Sequence, residues 1–202
     1  MKKTSLFLFL IVVSYSQAQQ STVLRSVFSK SYAYETSKQY SKAAMELKSV
    51  STENTYELNL RIGWLYYEAG EYNESITYYQ KAIQLAPNSV EAKLGLVYPL
   101  SVQNKWDEVL TQYLAILSVD PKNALVNYRT GLIYYNRKNY STAKKYLETV
   151  LELYPFDYDS NLLMGWTKLA LSDKAGALSS FEKVLLYKPS DASALEGEGL
   201  CK

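Results

Sequence analysis

The chain has 202 residues, with no His, a single Cys, and 22 Lys and Arg against 20 Asp and Glu. Without an imidazole there is no His-based acid–base catalysis, no Ser–His or Cys–His nucleophile pair and no His-bearing zinc site, and a lone thiol, Cys201, closes no internal disulfide. A net charge of +2 without a dense Lys/Arg cluster gives no global electrostatic reason to hold nucleic acid or an anionic membrane.

Met1, Lys2 and Lys3 are followed by an apolar run, Leu6 to Val13, and Ser16-Gln17-Ala18 places small residues where a signal peptidase reads. As a helix, that run reaches about 12 Å against a bilayer core of about 30 Å, so it predicts a removable leader and no integral membrane span. Cleavage after Ala18 predicts a secreted or periplasmic protein with a short lead-in over residues 19–23. Taking Lys2 and Lys3 from the 22 basic residues leaves 20 against 20 acidic ones, a neutral mature chain. No Cys follows the apolar run to take a lipid.

Beyond the lead-in, four of the five prolines, Pro87, Pro121, Pro155 and Pro189, are spaced by 34 residues. Between them apolar residues recur at helical intervals, with a polar break midway, so each unit reads as two helices. The units predicted are 24–55, 56–89, 90–123, 124–157 and 158–191, with 192–202 as a short terminal helix. In 56–89, Ile62, Gly63, Tyr66, Tyr72, Ser75, Tyr79, Ala82 and Pro87 mark the pattern. Gly63 and Ala82 let two helix backbones approach while Tyr66 and Tyr79 fill the space beside them, and Gly70 falls where the turn needs positive φ.

Unit 124–157 repeats the pattern with Gly131, Tyr134, Tyr140, Ala143, Leu147, Val150 and Pro155, and unit 158–191 with Met164, Gly165, Ala177, Phe181, Val184 and Pro189. Unit 90–123 departs from it, with Val97 and Val109 at small-residue places, and Pro99 inside its first helix predicts a kink or a shortened helix. The first unit lacks the proline and is two residues short, yet keeps Ser31, Tyr34, Tyr40, Ala43, Leu47 and Val50. Residues 192–202 carry Gly197 and Gly199, which predicts fraying or cover by a partner. A homodimer through this terminal helix is left open.

A 34-residue pair of helices with this placing of small residues, aromatics and proline resembles the tetratricopeptide repeat (TPR). The resemblance implies an all-α, right-handed superhelical solenoid of about five helical hairpins plus a short C-terminal helix. It also implies that the first helix of each unit lines a concave groove. The groove residues are then Phe28, Tyr32, Leu60, Trp64, Tyr67, Leu94, Tyr98, Tyr128, Leu132, Tyr135, Leu162 and Trp166. Tyr32, Trp64, Tyr98 and Trp166 share one row in which the family commonly carries polar residues, and aromatic side chains left in a groove mark a binding or self-association surface. Arg61 and Arg129 are candidate polar contacts to an acidic group, and Glu57, Glu91 and Asp159 would give one edge of the groove a negative rim. The Lys, Asn and Arg set by which some TPR domains grip a carboxylate tail is absent.

These readings point to a non-catalytic protein–protein interaction scaffold of the bacterial cell envelope that binds a protein or peptide partner, with no nucleic acid, metal or cofactor. A carbohydrate-binding module using the same Trp and Tyr row is the alternative. Neither a phosphate-cradling glycine loop nor a nucleophile motif is present.

Overall fold

The structure, a computed structural model, describes residues 22–50 and 54–202. The expected leader, 1–18, and residues 19–21 of the lead-in lie outside the described residues. The chain divides into two compact units, Met1–Asn104 and Lys105–Lys202. The division falls inside the third repeat, the one whose small-residue places hold valines. In a repeat protein each element packs only on its neighbours, so compactness is local.

The first unit contains α1 (described over 22–36), α2 (Tyr40–Lys48), α3 (Tyr56–Glu68), α4 (Tyr72–Leu85) and α5 (Val90–Val102). The second contains α6 (Trp106–Leu117), α7 (Ala124–Asn136), α8 (Tyr140–Leu153), α9 (Tyr158–Ala170), α10 (Lys174–Tyr187) and α11 (Ala192–Cys201). All the regular structure among the described residues is helical. None of these helices is long and apolar enough to cross a membrane.

Local chemistry sets the helix starts. Thr55, Ser89, Asn123, Asp157 and Asp191 each cap the helix that follows, their side-chain oxygens accepting from the backbone N–H three residues on. The turns inside the hairpins share one left-handed residue, Lys38, Gly70, Asn104, Lys138 or Ser172, with φ between 57° and 78°. Gly70 takes that conformation without steric cost, as expected. The other four are side-chain-bearing residues that give up about 1 kcal/mol each, which the packing of the hairpin offsets.

A second recurring device closes the turn between one repeat and the next. The amide of Asn127 donates to the carbonyls of Pro121 and Asn123, both at 2.9 Å, and that of Asn161 to Pro155 at 3.1 Å and Asp157 at 2.7 Å. Asn59 makes the equivalent bond to Thr55 at 2.7 Å. In the third repeat the ammonium of Lys93, itself buried, donates to the carbonyls of Pro87 and Ser89. The carbonyls of Thr55, Ser89, Asn123 and Asp157 also accept the first backbone N–H of the helix, so these side chains add a second donor there, and those of Lys93, Asn127 and Asn161 reach back to the proline carbonyls of the turn.

In the first unit α3 packs on α2, α4 and α5, and α4 on α5. Its core joins Val27, Ala43, Ala44 and Leu47 to Leu58, Ile62, Leu65 and Tyr66. Hydroxyls tie the hairpins at their closest approach: Ser31 donates to Ala43 O at 3.0 Å and Ser75 to Gly63 O at 2.8 Å. The Tyr79 ring lies between two glycines. A Cβ on Gly63 would stand 3.0 Å from its Cγ, and one on Gly95 would stand 2.6 Å from its Cζ.

In the second unit α7 packs on α6, α8 and α9, and α9 on α8, α10 and α11. Phe181 repeats the Tyr79 arrangement: a Cβ on Gly165 would lie 2.5 Å from its Cε1, and one on Gly197 would lie 2.5 Å from its Cε2. Where the corresponding residue is Leu147, the following unit carries Leu163 in place of a glycine, and both leucines join one cluster.

Two expectations need correction. Pro99 does not shorten its helix: α5 runs 13 residues, as do α3, α7 and α9, because its buried face, Pro99 included, holds it in place of the one missing hydrogen bond. Gly197 is no fraying point. It is buried against Phe181, and α11 continues to Cys201. Cys201 is a half-buried free thiol packed on the Ala177–Phe181–Val184–Ala194 cluster.

Candidate functional site

The residues expected to line a groove stand on α1, α3 and α5 in the first unit and on α7 and α9 in the second. Each set is a surface of its own unit.

In the first unit, Tyr32 and Tyr98 are 50% and 52% exposed, whereas Phe28, Leu60, Trp64, Tyr67 and Leu94 are half-buried. Phe28 and Trp64 pack at the margin of the core. Phe28 also meets Tyr32, with ring centres 6.4 Å apart. Tyr67 is the centre of a second aromatic group: its ring lies 5.8 Å from Trp64, 6.0 Å from Tyr72 and 5.5 Å from Tyr98. Burial first, then the charge of Glu68, raises the Tyr67 hydroxyl pKa above its usual value. Tyr79, behind this group, is pushed up by burial first and then by Tyr98, Glu68 and Glu91. Tyr67 and Tyr79 therefore keep their hydroxyl protons and remain donors.

Arg61 is taken up within the chain. Its guanidinium lies over the Tyr32 ring, 4.4 Å from the centre, and is ion-paired with Glu35. With only 19% of its side chain exposed, it holds these partners in preference to an acidic group in solution. Arg129, in the second unit, is exposed. Of the expected rim, Glu57, Glu91 and Asp159 are exposed, and Glu91 accepts from the Tyr56 hydroxyl at 3.0 Å.

In the second unit the row is more deeply committed to packing. Tyr128, Leu132 and Tyr135 pack on the Leu147–Leu163–Met164 cluster, and Leu162 and Trp166 on the cluster around Phe181. Trp166 meets Phe181 edge-on at 5.2 Å and donates its indole N–H to Ser193 Oγ at 3.0 Å. Trp64, in the same place of its unit, finds no acceptor for its indole N–H among the described residues. Burial raises the Tyr128 and Tyr135 hydroxyl pKa values, with lesser additions from Asp159 and Tyr140 respectively.

Sequence reasoning did not single out Gly95 or the buried amides Asn59, Asn127 and Asn161, and it read Gly197 as a point of fraying rather than of packing. The recurrence of Asn at 34-residue spacing was the available signal for the amides. For the glycines it was an aromatic 16 residues upstream, Tyr79 or Phe181, that needs an absent Cβ to lie flat.

Comparison with known proteins agrees with this geometry. The tetratricopeptide repeat model matches residues 57–89 and 124–157. Among characterised proteins, the chain is 24% identical over 187 residues to BBSome complex member BBS4 of Mus musculus, covering 75% of this chain and 36% of that one. It is 29% identical over 113 residues to the protein O-mannosyl-transferase TMTC1 of Homo sapiens, covering 54% of this chain and 12% of that one. The chain thus spans about a third of the first relative and about an eighth of the second. In fold it resembles a tetratricopeptide repeat protein from Parabacteroides merdae, with a TM-score of 0.75, 17% identity and 89% and 72% of the two chains covered. It also resembles YrrB, described as a TPR protein with an unusual peptide-binding site, with a TM-score of 0.72, 13% identity and 92% and 97% covered. With the family model matched at 57–89 and 124–157 and the helical hairpins shared with solved TPR structures, the chain carries tetratricopeptide repeats and has their all-helical fold.

Proposed function

We propose that this protein is a non-catalytic scaffold of the bacterial cell envelope that takes up a segment of a protein partner along the aromatic surface of its first helices. TPR units in general bind protein or peptide partners rather than turn over substrates, and the solved relative YrrB is described by its peptide-binding site. The observation that carries the reading is the pair Tyr32 and Tyr98, half exposed in a row where large aromatic side chains bring a solvation cost unless a partner covers them. Amphipathic rings of this kind supply apolar area and one hydrogen bond each.

A ladder of open rings for sugar stacking is less well supported, because Trp166 is edge-on to Phe181 and its indole N–H is satisfied by Ser193. Export follows from the charged and apolar start of the chain, and N-terminal sequencing of the protein recovered from the envelope should read from Gln19. Leu195 and Leu200 on α11, 46% and 52% exposed, are where a second copy would dock. A strictly monomeric sedimentation profile would remove that dimer.

The direct test is capture of partners by the wild type and by a Tyr32→Ala, Tyr98→Ala double variant, with thermal melts run alongside. Both positions are exposed, so the variant should fold. Loss of specific partners is the expected result, and an unchanged set retained by the folded variant would refute the surface assignment.

A further inference from the structure

In the first unit, the Tyr32 face and the Glu35 carboxylate together receive the guanidinium of Arg61, 4.4 Å from the ring centre. One repeat on, the place of Arg61 is held by Gly95, which brings no cation. There the Tyr79 ring fills the volume on which a longer side chain would have to rest. The ring remains, as Trp64, while the place of Glu35 is taken by Tyr67 with Glu68 beside it. Trp64, Tyr67 and Tyr98 are in mutual contact through Tyr67, at 5.8 and 5.5 Å, and Tyr98 is 52% exposed. Glu68 follows Tyr67 on α3, and Glu91 stands two turns before Tyr98 on the same face of α5; neither forms an ion pair among the described residues. A cluster of ring faces with unneutralised carboxylates beside it attracts a cation.

We propose that the Trp64–Tyr67–Tyr98 cluster, with Glu68 and Glu91, is a subsite for a basic side chain, so that the partner segment is one carrying arginine. This rests on the aromatic surface being the binding surface, and it names the chemistry of the occupant. The guanidinium lies against Tyr98 and Tyr67 as Arg61 lies against Tyr32, with the carboxylates balancing its charge. The indole N–H of Trp64 is left to donate to a carbonyl of the segment.

The test is isothermal titration of the full protein with a Gly/Ser-spaced peptide carrying three arginines. The comparison peptides put citrulline, the neutral isostere, or glutamate in the same places. The arginine peptide is expected to bind about three- to tenfold more tightly than the citrulline peptide, and the glutamate peptide not at all. Tyr98→Ala should weaken the arginine peptide about threefold or more, Tyr98→Phe should retain its affinity because the ring face remains, and Glu68→Gln should weaken it and flatten its salt dependence. If citrulline binds as well as arginine and both depend on Tyr98, the cation subsite is wrong while the aromatic surface stands. If the arginine peptide binds equally well to Tyr98→Ala, both readings fail. If neither arginine nor citrulline peptide binds, the subsite is overturned and partner capture alone decides the surface.

Discussion

The ring of Tyr79 occupies the space in which a Cβ on Gly95 would stand, 2.6 Å from Cζ. Tyr79 is buried and cannot swing away, so Gly95→Ala must push α5 off α4 or force the ring from its rotamer. A loss of about 1–3 kcal/mol is expected in urea unfolding. Gly199 faces open space within 4 Å, so Gly199→Ala should be neutral or stabilise by up to about 1 kcal/mol through helix propensity. Equal effects at the two positions would contradict this packing.

Asn127 should prove structural rather than functional. Its side-chain N–H groups meet two carbonyls at 2.9 Å, so Asn127→Ala removes the side-chain donor to Pro121 O and one of the two donors to Asn123 O, and should cost about 1–2 kcal/mol. Asn127→Asp sets a carboxylate against them and should cost more, although the shape is unchanged. Denaturant midpoints of the two variants decide the order.

Asp191 makes the stability pH-dependent. The hydrogen bond from Tyr158 first, then the backbone N–H of Ala194, holds its carboxyl below the usual carboxylate range. Between that depressed folded value and the unfolded value of about 3.9, the unfolded chain binds more protons, so stability rises with pH there. The contribution is complete above the unfolded pKa and is lost as pH falls through the folded one. Asp191→Asn keeps the helix cap but removes the charge. Its unfolding free energy should therefore fall less steeply than the wild type's below about pH 4, as read by urea unfolding across that range.

Trp166 and Trp64 share a repeat position but should respond differently. Trp166→Phe removes the 3.0 Å hydrogen bond to Ser193 and should lower stability by about 1 kcal/mol without altering partner capture. Trp64→Phe removes an indole N–H that has no acceptor within the described chain. It should leave stability nearly unchanged while weakening capture, and a thermal melt beside a binding assay separates the two.

The helical hairpin and its 34-residue period are legible in the sequence because they rest on short-range chemistry. Proline stops a helix, an Asp, Asn, Ser or Thr starts one, and apolar residues must recur on one face to be buried at all. Gly70 was readable in the same way, since its φ of 78° is a local requirement. At Pro99 a local rule predicts a kinked or shortened helix, and tertiary packing along α5 keeps its full length.

The list of aromatic surface residues was legible, but not their states. Sequence alone places Tyr32, Trp64, Tyr98 and Trp166 in one row. Only the tertiary structure separates the exposed pair from the two tryptophans, because exposure depends on what the next repeat brings alongside. Phe181 and Ser193 occupy Trp166, Arg61 settles on Tyr32 beside Glu35, and Gly95 leaves Trp64 and Tyr67 without a cation. Short-range rules of helix and turn therefore determined the architecture, while contacts between residues about 15 to 30 positions apart decided which parts of it remain free to bind.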